Sequence, residues 1–92
     1  MDIKFLKKEK NMLEVEIGDV DTSLLGLLVE KLNKSSGVEF AAYKMEHPLI
    51  STPRLIIKTK GNTSALEVAA DALDEIKKET QEFKKKFSEM LK

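Results

Sequence analysis

The sequence predicts an α+β domain with the element order β-β-α-β-β-α, in which two helices cover one face of a four-stranded antiparallel sheet. Apolar and charged residues alternate near the start of the chain, as in strands with one solvated face. Two later segments carry apolar residues at helical spacing. At 92 residues, the chain (1–92) is expected to form a single domain.

The first two strands form a predicted hairpin. Ile3 and Phe5 alternate with polar residues, and a polar turn follows at 8–11. The second run places Glu14 and Glu16 between apolar residues, which are Leu13, Val15 and Ile17. This period of two, with charge on the outer face, favours an antiparallel pair that ends at Gly18.

A helix is predicted next, with Asp21, Thr22 or Ser23 as its N-cap and its end near Leu32 or Asn33. Its apolar residues spread over roughly 200°, whereas a helix lying on one sheet needs a little over 100°. The excess apolar surface must be covered by the other helix or by a partner. Gly26 lies inside this helix at a cost of about 1 kcal/mol relative to alanine, which suggests a close approach by another backbone.

Two further strands follow. Gly37 is positioned for the connecting turn, and the segment from Val38 to Tyr43 alternates. A loop through Pro48 leads to a fourth strand at 55–59, which is ended by Gly61.

The last helix is predicted from Ser64 to Leu91, with Ser64 and Glu67 as a capping box. Its apolar positions are spaced alternately three and four residues apart, which is a heptad seam formed by Leu66, Ala69, Leu73, Ile76, Thr80, Phe83, Phe87 and Met90. Such a helix is roughly 40 Å long, whereas a domain of this size is about 30 Å across. Its distal half is therefore expected to extend beyond the sheet and to need a second chain to cover it.

The composition argues against an enzyme. The chain has no cysteine, one histidine and no glycine-rich phosphate loop, so no catalytic residue, metal site or cofactor is expected. Acidic and basic residues are balanced at 16 each, and the run 84–86 is read as a solvated helix face. The sequence shows no membrane span and no secretory segment, so a cytoplasmic location is expected.

Two other functions stay open at this point. The heptad seam would equally support a self-associating dimerisation module. An RNA-binding α+β domain is disfavoured because Phe40 and Tyr43 are expected on opposite faces of one strand, where they cannot stack bases together.

The segment 37–49 resembles the signature of archaeal RNA polymerase subunit L, a relative of the bacterial alpha subunit's dimerisation domain and of the eleventh subunit of eukaryotic RNA polymerase II. The shared pattern is a glycine-valine start, an aromatic strand, Tyr43 and the loop His47-Pro48-Leu49. The likeness extends over essentially the whole chain. It departs at the first helix, where Thr22, Leu25 and Gly26 replace the family's usual histidine, glycine and asparagine.

The resemblance implies a non-catalytic assembly subunit of DNA-directed RNA polymerase. Such a chain forms a heterodimer with the alpha-like polymerase subunit designated D, which we call the alpha-like partner. With the small subunits N and P, that pair supports assembly of the large catalytic subunits without direct contact to nucleic acid. The helices of this chain are expected to bind the partner through Leu24, Leu27, Leu28, Ile76, Thr80, Phe83, Phe87, Met90 and Leu91.

Overall fold

A computed structural model describes residues 2–45 and 52–90, with Phe83 described by its backbone alone. The elements are β1 (Asp2–Lys8), β2 (Met12–Gly18), α1 (Thr22–Asn33), β3 (Val38–Lys44), β4 (Arg54–Thr59) and α2 (Ala65–Met90). This order confirms the predicted fold class.

The strands form one sheet in the order β1-β2-β4-β3, and each neighbouring pair is antiparallel. The central strands β2 and β4 direct every second side chain into the core, which confirms the predicted alternation of β2. Their buried residues are Leu13, Val15, Ile17, Leu55, Ile57 and Thr59. The edge strands are β1 and β3.

A register shift in β3 decides which of its side chains reach the core. Val38 pairs with Thr59 and Phe40 pairs with Lys58, so one extra residue lies between them. This bulge lets Val38 and Ala41 both pack on the helix side, although they are three positions apart. Phe40 therefore lies on the open face of the sheet, opposite to Tyr43, as expected.

Both helices begin at the predicted caps. The Asp21 carboxylate accepts a hydrogen bond from the Ser23 amide at 2.8 Å, and the Ser64 hydroxyl accepts one from the Glu67 amide at 3.3 Å. The two helices share the helix side of the sheet and contribute Leu25, Leu28, Leu32, Ala65, Ala69, Ala72 and Ile76 to the core.

Lys31 joins α1 to α2. Its ammonium group lies 2.7 Å from Glu79 and 3.4 Å from Glu75. The hydrogen bond to Glu79 raises the pKa of Lys31 above its ordinary value of 10.5, although partial burial of the ammonium group lowers it. The negative charge of Glu79 and the contacts with Glu75 raise this pKa further. The ion pairs hold one flank of α2 against α1.

The turn after α1 requires a glycine. Gly37 has a φ of +84°, and a Cβ atom built there would lie 2.2 Å from the Thr63 hydroxyl oxygen. A side chain at this position would therefore be strained by the backbone conformation and would require Thr63 to move. The neighbouring turns are held by Asn11, whose amide nitrogen lies within 3.2 Å of Thr59 Oγ1 and of the carbonyl oxygens of Gly61 and Thr63.

Asn33 occupies the outer edge of β3. Its side-chain amide donates to the Ala41 carbonyl at 3.0 Å, and its side-chain carbonyl accepts from the Ala41 amide at 2.9 Å. Both outward backbone groups of Ala41 are thus bonded, in the manner of a neighbouring strand.

The distal half of α2 leaves the body of the domain, as predicted. Ile76 is the last buried residue among those described, and residues 77–82 and 84–90 are exposed. The helix has 26 residues and is therefore about 39 Å long, in a molecule that measures 47 × 36 × 17 Å.

Candidate partner-binding surface

An apolar groove lies beside β1 on the helix side of the sheet. Ile3 and Phe5 pair with Ile17 and Val15, so they lie on the core side of the sheet, yet each is about half exposed. The helices make their main contacts with β2, β3 and β4, which leaves the β1 end of that face uncovered. The groove has a volume of about 140 Å³, and its lining includes Val20, Leu24, Leu66, Ala69, Ala70 and Leu73.

A second groove runs between the start of α1 and the middle of α2. It has a volume of about 580 Å³ and is lined by Leu24, Leu73, Ile76, Lys77, Thr80, Gln81 and Lys84. Leu24 and Leu73 line both grooves, so the two form one surface along α2. We call this surface, together with Leu27, Phe87 and Met90, the partner face.

Several residues predicted to bind a partner are accessible on the partner face. Leu27 is 46% exposed, Phe87 is 55% exposed and Met90 is 83% exposed. Leu24 is partly buried and lies between the two grooves. The hydroxyl of Thr80 donates to the Ile76 carbonyl at 2.9 Å, so its polar group has a bond within the helix.

Two predicted contact residues need correction. Leu28 is only 2% exposed and Ile76 only 5% exposed, so both side chains belong to the chain's own core. The reason is the rotation of α1 and α2 on the sheet, which directs Leu28 inward together with Leu25 and Leu32. Ile76 still lines the second groove and supports the residues above it.

Other predicted residues lie partly or wholly beyond the described structure. Leu91 and the loop residues His47, Pro48 and Leu49 are outside the described residues, as is the side chain of Phe83. Tyr43, the remaining family-motif residue, is 41% exposed on β3, at the opposite edge of the sheet from β1.

Ile3, Phe5 and Leu66 line the first groove, although the sequence pattern does not assign them to a binding surface. Alternation predicts that Ile3 and Phe5 face the core side, and the heptad includes Leu66. Neither pattern predicts that β1 lies at the sheet edge, where the helices do not cover it.

The described polar side chains that line the two grooves are Lys77, Thr80, Gln81 and Lys84. Across residues 2–45 and 52–90, no cluster of three or more histidine, cysteine or acidic side chains could hold a metal ion. The helices in those two ranges lack the length and apolar composition of a membrane-spanning segment. The surface instead combines apolar side chains with a few rim charges, which suits binding to another protein.

Comparison with known proteins gives consistent matches. Residues 12–86 match the family described as the RNA polymerase Rpb3/Rpb11 dimerisation domain. The chain is 40% identical over 74 residues to DNA-directed RNA polymerase subunit Rpo11 of Sulfolobus acidocaldarius, covering 80% of this chain and 82% of that one. It is 37% identical over 84 residues to Rpo11 of Methanocaldococcus jannaschii, covering 83% and 85%.

The fold has a solved counterpart. The crystal structure of DNA-directed RNA polymerase subunit L from Thermoplasma acidophilum is similar with a TM-score of 0.82 at 27% identity, over 96% of this chain and 86% of that chain. The family match covers most of the sequence, and the overlap with Rpo11 extends over most of both chains. The chain therefore belongs to the RNA polymerase Rpb3/Rpb11 dimerisation domain family.

Proposed function

We propose that this chain is the subunit L of a DNA-directed RNA polymerase and that it forms a heterodimer with the alpha-like partner. The observation that carries the proposal is the partner face, an apolar surface along α1, α2 and β1 that the chain's own core leaves accessible. Membership of a dimerisation-domain family supports binding to a second protein. The exposed apolar surface on the helices supports the same conclusion.

The proposed role is structural. The heterodimer, joined by subunits N and P, would form the platform on which the large catalytic subunits assemble in the cytoplasm. This chain acts as one domain over residues 1–92 and supplies no catalytic group or direct nucleic-acid contact. Tyr43 and the loop His47-Pro48-Leu49 enter the proposal as the family's motif.

Apolar burial supplies the binding energy. Leu27, Phe87 and Met90 are exposed in the single chain, and each contributes on the order of 1.5–3 kcal/mol if fully buried, before the entropy of association is subtracted. Leu24 and Thr80 extend this contact along the two helices. Phe83 and Leu91 belong to the proposal through the sequence pattern alone. Ile3, Phe5 and Leu66 add the first groove to the proposed interface.

The proposal is tested by combining Phe87→Asp with Met90→Asp. We expect the double variant to lose measurable binding to the alpha-like partner in calorimetry, because two carboxylates would be buried without partners. The unfolding free energy of the single chain should stay within about 0.5 kcal/mol of wild type, since both side chains are exposed.

Phe40→Asp is the control for placing a carboxylate at an exposed aromatic position outside the partner face. Phe40 is 42% exposed but lies on the open face of the sheet, so this change should leave binding to the alpha-like partner intact. Wild-type affinity in the α2 double variant, or equal loss in the control, would contradict the proposed interface. Salt-dependent RNA binding by wild type that is lost in the Phe40 variant would instead support the RNA-binding alternative.

A further inference from the structure

Two lysines of α2 line the second groove without a carboxylate beside them. Of the other helix lysines, Lys31, Lys34 and Lys78 each lie within 3.4 Å of a carboxylate oxygen. Lys85 and Lys86 make no ion pair with a described residue either, but they do not line the groove. Lys77 and Lys84 belong to the groove lining. Neither makes an ion pair with any residue in 2–45 or 52–90.

The heptad seam explains where these lysines lie. Each follows an inner seam position by one residue, since Lys77 comes after Ile76 and Lys84 comes after residue 83. They are seven residues apart and therefore project from the same flank of α2, about 10 Å from each other along the axis. In two-helix packing this flanking position is where interhelical charge pairs form.

The opposite flank of α2 is already engaged. Glu79 occupies it and bonds to Lys31 of α1. A partner helix that enters the second groove therefore meets Lys77 and Lys84 on its rim, beside Leu73 and Thr80. The described groove-lining residues include no acidic side chain that could neutralise the two lysines.

We propose that Lys77 and Lys84 select the occupant of this groove, which is a helix of the alpha-like partner that carries Asp or Glu beside its apolar seam. The inference rests on the proposed heterodimer and names the chemistry of its partner. A second copy of this chain, packed antiparallel about a two-fold axis, would bring this lysine flank against its own counterpart. Like charges there oppose self-pairing, so the lysines favour the unlike partner.

The experiment measures binding of the full chain to the alpha-like partner by calorimetry at several salt concentrations. The test variant combines Lys77→Glu and Lys84→Glu. The control combines Lys60→Glu and Lys85→Glu, which makes the same change in net charge at exposed positions that do not line the groove. Lys77→Gln with Lys84→Gln removes the charges while keeping good helix formers.

At low salt we expect the Glu variant to bind roughly tenfold or more weakly than the control, with the Gln variant between them, from two rim pairs of ordinary strength. The difference should shrink toward 1 M salt, where the screening length falls to about 3 Å. An equimolar mixture of wild type and Glu variant should also self-associate more strongly than either alone, as seen by light scattering.

The outcomes separate this inference from the proposed function. Binding of wild type to the alpha-like partner, with equal affinity in the Glu variant and the control, would overturn the selection by lysine and leave the heterodimer standing. No binding of wild type would overturn the heterodimer itself. Circular dichroism of each variant confirms that the helices are formed, and the Gln variant decides the result if the Glu variant is unfolded.

Discussion

At the residue scale, Gly26 is the position whose identity the single chain does not explain. It lies inside α1, and a Cβ atom added there would meet no atom within 4 Å. A glycine inside a helix suggests that a second backbone approaches it. No backbone of the described residues does so, and we therefore expect the proposed partner to supply that approach.

Gly26→Ala tests this point with two measurements of opposite sign. The single chain should become more stable by about 1 kcal/mol, because alanine has the higher helix propensity and enters open space. Binding to the alpha-like partner should become weaker, since a methyl group would stand where the partner's backbone packs. Denaturant unfolding gives the first value and calorimetry the second. Improved or unchanged binding would show that the partner does not approach α1 at this residue.

At the scale of elements, Lys31 links α1 to α2 beside the apolar core that the two helices share. Its two contacts, to Glu79 and Glu75, lie one helical turn apart on α2. Glu75 and Glu79 thus lie on the side of α2 that contacts α1, whereas Lys77 and Lys84 lie on the other side and line the second groove.

The pH dependence of this contact follows from the direction of the pKa change. The pKa of Lys31 is raised in the folded chain above its ordinary value of 10.5, chiefly by the hydrogen bond to Glu79. The group thus contributes its full stabilisation below about pH 10.5 and loses it as pH rises through the folded pKa. We expect the stability difference between wild type and Lys31→Gln to decrease above about pH 10.5 in denaturant titrations. Lys34→Gln, which removes an exposed pair within α1, is the control. A difference that stays constant as pH rises well past that point would contradict this account.

At the scale of the whole molecule, the fold and the binding surface are separate parts of the same chain. The core closes at Ile76, and the remainder of α2 contributes exposed side chains wherever they are described. The sheet and α1 therefore do not depend on the end of α2 for their packing.

Truncation after Gln81 tests that separation. It retains Ile76 and the Lys31 contacts, so the unfolding free energy should change by less than about 0.5 kcal/mol while helical ellipticity decreases. Binding to the alpha-like partner should be lost because Phe87 and Met90 are removed. Removal of Lys92 alone, which creates a new terminus but retains Phe87 and Met90, is the control. Global unfolding of the truncated chain would show that the distal helix belongs to the core.

Much of the fold is predictable because its signals are local. The caps at Asp21 and Ser64, the alternation in β2 and the heptad of α2 each depend on a few neighbouring residues. Together they predict the element order, and the length of α2 predicts its extension beyond the sheet.

The parts that sequence could not provide depend on the arrangement of elements in space. Leu27 and Leu28 are adjacent leucines of α1, and only the rotation of the helix on the sheet makes one exposed and the other buried. The sheet order likewise places Ile3 at an uncovered edge. The bulge in β3, which allows Val38 and Ala41 to share a face, has no marker in the sequence pattern.

Asn33 has a consequence for the size of any assembly. A sheet with two available edges can bond to a neighbour on each side and grow without limit, which is how strand-paired fibres form. Here the outward backbone groups of Ala41 are occupied by the Asn33 side chain, so an added strand would first have to displace it. Strand addition is therefore hindered at β3. The sheet is left with one edge, β1, at which this side-chain obstacle is not present. Hindrance at one edge opposes the two-sided growth that a strand-paired fibre needs.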